Sequence, residues 1–229
     1  MKSQTVAKGA IAVFVALSIF KYVRHSPPPD TNGGIPLQLF SKSTTGEITP
    51  TLRYSHDNFC WRCPPPIVYD DASALAFIRR HPLEFIPDAV RKWNSFPNNW
   101  NGGVGRSEFF RFYYLFVAGG IYLDHDAVIA TDARDLVHGH DLVVVNAWLP
   151  PGSSPYIMAG FIAARPRNEL IKQALQLLYE TTSVVLEKNY LFTCQNLHRL
   201  YFDDSFLKTR LSSRLLEEVY EHGRSFSGT

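Results

Sequence analysis

Surplus charge is what this chain has least of. Its 23 Lys and Arg stand against 21 Asp and Glu, a formal net charge of +2. No run of like charges is long enough for a nucleic-acid arm, which removes the electrostatic footprint such a partner requires. Cysteine is scarce as well. Cys60, Cys63 and Cys194 are too few for a disulfide framework or a four-ligand zinc site. Cys60-Trp61-Arg62-Cys63 has redox or metal spacing, and His56 offers a third ligand, but no fourth presents itself. The pair reads as ordinary thiols or a local disulfide. An internal repeat is missing too, and the N-terminal apolar run, Gly9 to Phe20, holds twelve residues against the about 20 of a usual membrane-spanning helix.

Hydrophobic residues nevertheless make up 45% of the 229 and aromatics 14%, enough for a sizeable core in one domain with or without an appendage. Residues 1–25 read as a short membrane anchor or signal segment. Residues 26–34, SPPPDTNGG, form a linker that cannot fold. Residues 35–229 form the remaining domain. Basic residues flank both sides of the apolar run, so orientation is not set by charge.

From Ile35 the signals alternate. Strands are expected at Ile35–Phe40, Ile67–Tyr69, Ile121–Leu123, Asp141–Val145 and Tyr156–Ala164. Helices are expected from Asp70-Asp71-Ser73 to before Pro82, around Pro87–Trp93, from a Ser107 cap through Glu108 to Ala118, and over Asn168–Glu180. Phe96–Gly105 reads as a polar loop, and the tail beyond Asn189 as helical in pieces. Buried, non-alternating strands interleaved with helices predict an α/β sandwich with a mostly parallel sheet.

The stretch SEFFRFYYLFVAGGIYLDHDAVIA carries the chemistry. Its helix is apolar on nearly every face, yet Glu108 and Arg111 share one face. Taken alone, an internal Glu108–Arg111 ion pair explains them. Gly119-Gly120 then stops the helix, and a short strand leads into Asp124-His125-Asp126. In an extended chain Asp124 and Asp126 aim to one side with His125 facing away. Converging carboxylates repel unless a cation sits between them. Oxygen ligands without a cysteine or histidine cluster suit Mg²⁺ or Mn²⁺, and the ends of strands are where such sheets bind ligands. A haloacid-dehalogenase-type phosphatase also uses D-x-D after a strand, but Val128 stands where that family needs Thr.

Ser107-Glu108-x-x-Arg111-Phe112, Leu115 and Gly119-Gly120-Ile121-Tyr122-Leu123-Asp124-x-Asp126 together resemble the glycosyltransferase sugar-binding region containing a DXD motif. This is glycosyltransferase family 32, with fungal α-1,6-mannosyltransferases, mannosylinositol-phosphoceramide synthases and vertebrate α-1,4-galactosyl- and N-acetylglucosaminyltransferases. Looser likeness runs from Ile35 to Tyr179. The chain departs from the pattern at Glu108, usually Asp, and at Ala159, where Asn is common.

The resemblance implies a GT-A-like Rossmann-type sandwich and a metal-dependent hexosyltransferase. Such an enzyme moves a sugar from GDP-mannose or a UDP-hexose to a glycan or glycolipid, with retention. It implies that Asp124 and Asp126 bind the metal–diphosphate, Asp126 more directly. Arg111 and Glu108 would contact the donor sugar, and Tyr122 would line the nucleotide pocket. It also implies a type II anchor in a secretory-pathway membrane, the Golgi, with the domain lumenal. His198 and His222 are candidates for a further ligand. The alternatives are a catalytically weak nucleotide-sugar binder and a D-x-D metal-dependent phosphatase.

Overall fold

The computed structural model describes residues 34–97, 100–147, 154–189, 191–203 and 213–217. The expected N-terminal helix, the linker apart from its last residue Gly34, and His222 lie outside those residues. Among the described residues no helix is long and apolar enough to cross a membrane.

Among the described residues six strands form one sheet: β1 (Leu39–Lys42), β2 (Ile67–Tyr69), β3 (Gly120–Leu123), β4 (Leu142–Asn146), β5 (Ile157–Ala164) and β6 (Ser213–Glu217). Their order is β2-β1-β3-β5-β4-β6. β1 pairs in parallel with β2 and β3, and β4 with β6, while β5 runs antiparallel to both β3 and β4. The sheet is therefore mixed, with only β5 reversed. The Rossmann-like α/β expectation holds at this level.

Among the described residues eight helices cover the two faces: α1 (Pro50–Phe59), α2 (Asp71–Arg80), α3 (Ala89–Ser95), α4 (Trp100–Ala118), α5 (Ala133–Val137), α6 (Glu169–Glu180), α7 (Ser183–Lys188) and α8 (Phe192–Tyr201). One core joins α2, α3, α4, α6 and α8 to Phe40, Tyr122 and Ile162. The other joins α1 and α5 to Leu39, Ile121, Val143 and Ala163 on the opposite face. Alternate strand residues thus feed alternate cores. α4 lies deepest, and its apolar sides are covered all round by sheet and helices, as its sequence requires.

Local chemistry sets several boundaries. Asp70 and Ser73 form a reciprocal capping box at the start of α2, and Asn168 caps α6 by accepting from Leu170 and Ile171. Gly119 and Gly120 have φ of +67° and +115°, and a Cβ on Gly120 would lie 2.7 Å from the Gln38 carbonyl oxygen. Only glycine fits there, so the chain turns from α4 into β3 against β1.

Four expectations need correction. The first strand is Leu39–Lys42 rather than Ile35–Phe40. α4 begins at Trp100, so Ser107 lies inside the helix instead of capping it, and most of the expected polar loop is helical. The tail beyond Asn189 is helical over α8, as expected, but Ser213–Glu217 adds a strand beside β4 where none was expected. α1, α5 and α7 carry no expectation at all, α1 being the crossover from β1 to β2.

Candidate active site

β1 lies between β2 and β3, so the connection from β1 to β2 and the one leaving β3 diverge above the C-terminal strand ends. Divergence of that kind opens a ligand crevice in α/β sheets. Asp124 follows β3 there. Phe40 and Tyr122 are in register, and two residues further along each strand come Lys42 and Asp124 on the same face.

The site is built around Arg111. This residue is 5% exposed, and its Nη2 donates to Tyr122 Oη at 3.0 Å and to Asp124 Oδ1 at 3.1 Å. The Tyr122 hydroxyl donates to the same Oδ1 at 2.5 Å, and the guanidinium carbon lies 4.1 Å from the tyrosine ring centroid. Burial opposes the charge on Arg111, but Tyr122, Asp124 and Glu108 outweigh it and hold the guanidinium protonated. Burial likewise pushes the Tyr122 hydroxyl upward, so it serves as a donor. Among the described residues Arg111 Nε has no partner. A buried donor of that kind is expensive unless a ligand completes it.

Asp124 itself is 35% exposed. Its amide donates to the Gly160 carbonyl at 2.8 Å. A Cβ on Gly160 would sit 3.1 Å from Asp124 Oδ2, so this glycine of β5 leaves the space the carboxylate occupies. Asp126 is exposed and makes no hydrogen bond or ion pair among the described residues.

The two aspartates are not in extended chain, which corrects the geometric premise drawn from the sequence. The Ala127 amide bonds the Asp124 carbonyl at 3.0 Å, closing a tight turn whose first and third residues are Asp124 and Asp126. Among the described residues no third histidine, cysteine, aspartate or glutamate joins them. Two hard carboxylates, one unpartnered and the other with Oδ2 to spare, fit Mg²⁺ or Mn²⁺. Such ions commonly take one or two carboxylates and complete their shell with water and substrate phosphate.

Glu108 goes elsewhere. No Glu108–Arg111 ion pair forms. Instead Thr193 of α8 donates its hydroxyl to Glu108 Oε2 at 2.5 Å. Burial pushes the Glu108 carboxyl above its ordinary value, with Arg111 and Thr193 opposing. A carboxyl raised on folding contributes stability that is full below its unfolded pKa and is lost as pH rises through the folded one. Relative to Glu108→Gln, the wild-type protein should therefore lose stability as pH rises through that window. Urea unfolding with the same pH slope for both proteins would contradict the assignment.

The neighbouring Cys194 has its thiol pushed up to about 11, by burial and then by Glu108, which leaves it neutral and a poor nucleophile at neutral pH. His198 stacks on Phe202 at 4.5 Å. The Cys60–Cys63 pair forms a disulfide at the end of α1.

Several site residues carried no local sequence signal. Thr193 and Gly160 reach the site only through packing of α8 and β5. Lys42, at the end of β1, has Nζ 2.6 Å from Asp71 Oδ1, and Arg106 Nη1 holds Asp71 Oδ2 at 3.0 Å. Asp71 was legible as a helix-start residue and as part of the looser family likeness, not as a partner of Lys42 and Arg106. A charged residue ending an apolar strand, Lys42 after LFS, was the available clue.

No curated protein sequence matches the chain. The family model for the glycosyltransferase sugar-binding region containing a DXD motif matches residues 67–143. That span runs from β2 through α4 and the Asp124–Asp126 turn into β4, and the match supports a nucleotide-sugar-binding, glycosyltransferase-like role for this part of the chain.

Proposed function

We propose that the protein is a metal-dependent hexosyltransferase that moves a sugar from a nucleotide donor, GDP-mannose or a UDP-hexose, to a glycan or glycolipid with retention. The observation that carries this reading is the exposed Asp126 beside a partly exposed Asp124 that Arg111 and Tyr122 hold where the connections from β1 and β3 diverge.

A divalent ion bound there would neutralise the donor diphosphate and act as a Lewis acid toward the leaving nucleotide. Asp124 and Asp126 are the residues that would hold it. Arg111, whose contacts with Tyr122 and Asp124 both run through Nη2, supplies a fixed positive charge to the sugar or phosphate. Tyr122 keeps the Asp124 carboxylate from rotating. Glu108 stands on the same helix, and its bond to Thr193 takes up the extra methylene that distinguishes it from aspartate.

Incubation with UDP- and GDP-sugars plus Mn²⁺, with nucleotide release measured, tests the activity. Turnover of one donor class supports the reading. Affinity without turnover would identify a binder, and a preference for phosphomonoesters a phosphatase.

The uncharged Gly9–Phe20 run followed by the Pro-rich linker supports membrane anchoring, and the family resemblance is what adds the secretory pathway, the Golgi, and a lumenal domain. Full-length protein should then stay with the membranes after carbonate extraction. Release with an intact N-terminus would argue against it.

A further inference from the structure

Asp124 and Asp126 sit in a turn, so their relative aim is not fixed by strand pleating. It depends on what fixes the peptide planes between them. His125 is exposed and its side chain contributes nothing to that. Its carbonyl oxygen, however, accepts a hydrogen bond from Thr49 Oγ1 at 2.9 Å, across 76 residues of sequence. The carbonyl belongs to the peptide joining His125 to Asp126. Rotation of that plane would re-aim the Asp126 backbone and its carboxylate.

Thr49 is itself held. It is the N-cap of α1, and its Oγ1 accepts from the Leu52 amide at 3.2 Å. A threonine hydroxyl has one proton and two lone pairs. Accepting from Leu52 and donating to His125 gives the hydroxyl a set orientation. A second bond from the same helix fixes the far side of the turn, where the Ile129 amide donates to Ser55 Oγ at 3.2 Å. Ser55 is fully buried and Ile129 is 1% exposed, so water does not compete for that bond. β5 holds the near side, where the Asp124 amide meets the Gly160 carbonyl. The turn is therefore clamped from the sheet at one end and from α1 in the middle and at the other end.

We propose that Thr49 is a positioning residue for the Asp124–Asp126 turn, its hydroxyl locking the His125–Asp126 peptide so that both carboxylates can serve one divalent cation. This rests on the reading of the turn as a metal–diphosphate site. Thr49 touches neither metal nor donor and acts through the backbone, as residues behind a metal ligand do. Loss of such support typically lowers metal affinity by about 10–100-fold.

The test is Mn²⁺ affinity, measured by electron paramagnetic resonance of free Mn²⁺ in the presence of UDP or GDP, together with the melting temperature of the metal-free protein. Three variants are needed. Thr49→Val removes the bond to His125 and also the helix cap. Thr49→Gly removes the same bond at little capping cost, because glycine is an acceptable N-cap. Thr49→Ser keeps both bonds.

Thr49→Val and Thr49→Gly should each weaken Mn²⁺ binding by about 10-fold or more, while Thr49→Ser binds as wild type does. If wild type binds Mn²⁺ and Thr49→Gly binds it equally well, the positioning role is wrong although the site stands. A lower melting temperature with unchanged affinity would likewise reduce Thr49 to a helix cap. If wild type binds no Mn²⁺ with either nucleotide, the metal–diphosphate reading fails, and the role of Thr49 fails with it.

Discussion

Replacing Asp126 by Asn should lower nucleotide-sugar turnover by about 10²-fold or more, the scale of losing one well-placed group that stabilises developing charge. The melting temperature of the metal-free protein should hardly change. Both halves follow from the position of the side chain. It is exposed and makes no bond to any described residue, so its loss strands no buried partner. Asp124 is a poorer probe of the same chemistry. Its Oδ1 receives both Arg111 Nη2 and the Tyr122 hydroxyl, so Asp124→Asn leaves a buried guanidinium without its carboxylate. Such a loss costs part of the about 3–5 kcal/mol of a fully buried pair, and lost folding would then be confused with lost catalysis. Asp126→Asn with wild-type turnover, or wild-type turnover in excess chelator, would remove the metal role from this turn.

Arg111→Met should also reduce turnover by about 10²-fold, but with a moderate loss of stability, about 1–2 kcal/mol. The partners left behind set this value below the about 3–5 kcal/mol of a fully buried pair. Asp124 keeps the Tyr122 hydroxyl and is 35% exposed, so water takes over part of its solvation. Glu108 has Thr193, and burial already raises its pKa, so it can meet the loss of a nearby cation by taking a proton. Methionine fills much of the space of the arginine stem. Denaturant unfolding and kinetics on the same preparation separate the outcomes. A variant that fails to fold would make Arg111 part of the architecture. A stable variant with unchanged kinetics would leave the unpartnered Nε without a function.

The sequence disclosed those parts of the fold whose cause is local. The capping groups of α2, the apolar stripe of α6, the glycine pair after α4 and the apolar runs of β4 and β5 are each determined by neighbours in the chain. α1 was missed because the segment is polar, although Thr49-Pro50 offered an N-cap followed by an N1 proline. The first turns of α4 were hidden by Gly102, Gly103 and Gly105, residues of low helix propensity. Tertiary packing overrides that preference. A Cβ on Gly105 would lie 2.6 Å from the Phe96 ring, so glycine lets α4 and that ring approach. β6 is a strand because β4 supplies a parallel partner about 70 residues earlier in sequence.

The site divides along the same line. Arg111, Tyr122 and Asp124 were legible, since a short helix-to-strand unit carries them. Two of the four charges in that unit meet directly, Arg111 and Asp124. Glu108 turns to a threonine 85 residues away, and Asp126 is placed by a turn that no pleat-based rule anticipates. Gly160, Thr49 and Ser55 shape that turn from β5 and α1, and nothing adjacent to the D-x-D motif in sequence points to them.

The central claim is that the Asp124–Asp126 turn holds the metal–diphosphate of a nucleotide-sugar. Its most direct test is a crystal structure grown with Mn²⁺ and UDP or GDP, with manganese located by anomalous diffraction. The account predicts one manganese within coordinating distance of carboxylate oxygens of Asp124 and Asp126 and of the nucleotide phosphates. Nucleotide bound with manganese elsewhere, or a turn that stays free of metal at saturating Mn²⁺ and nucleotide, would contradict it.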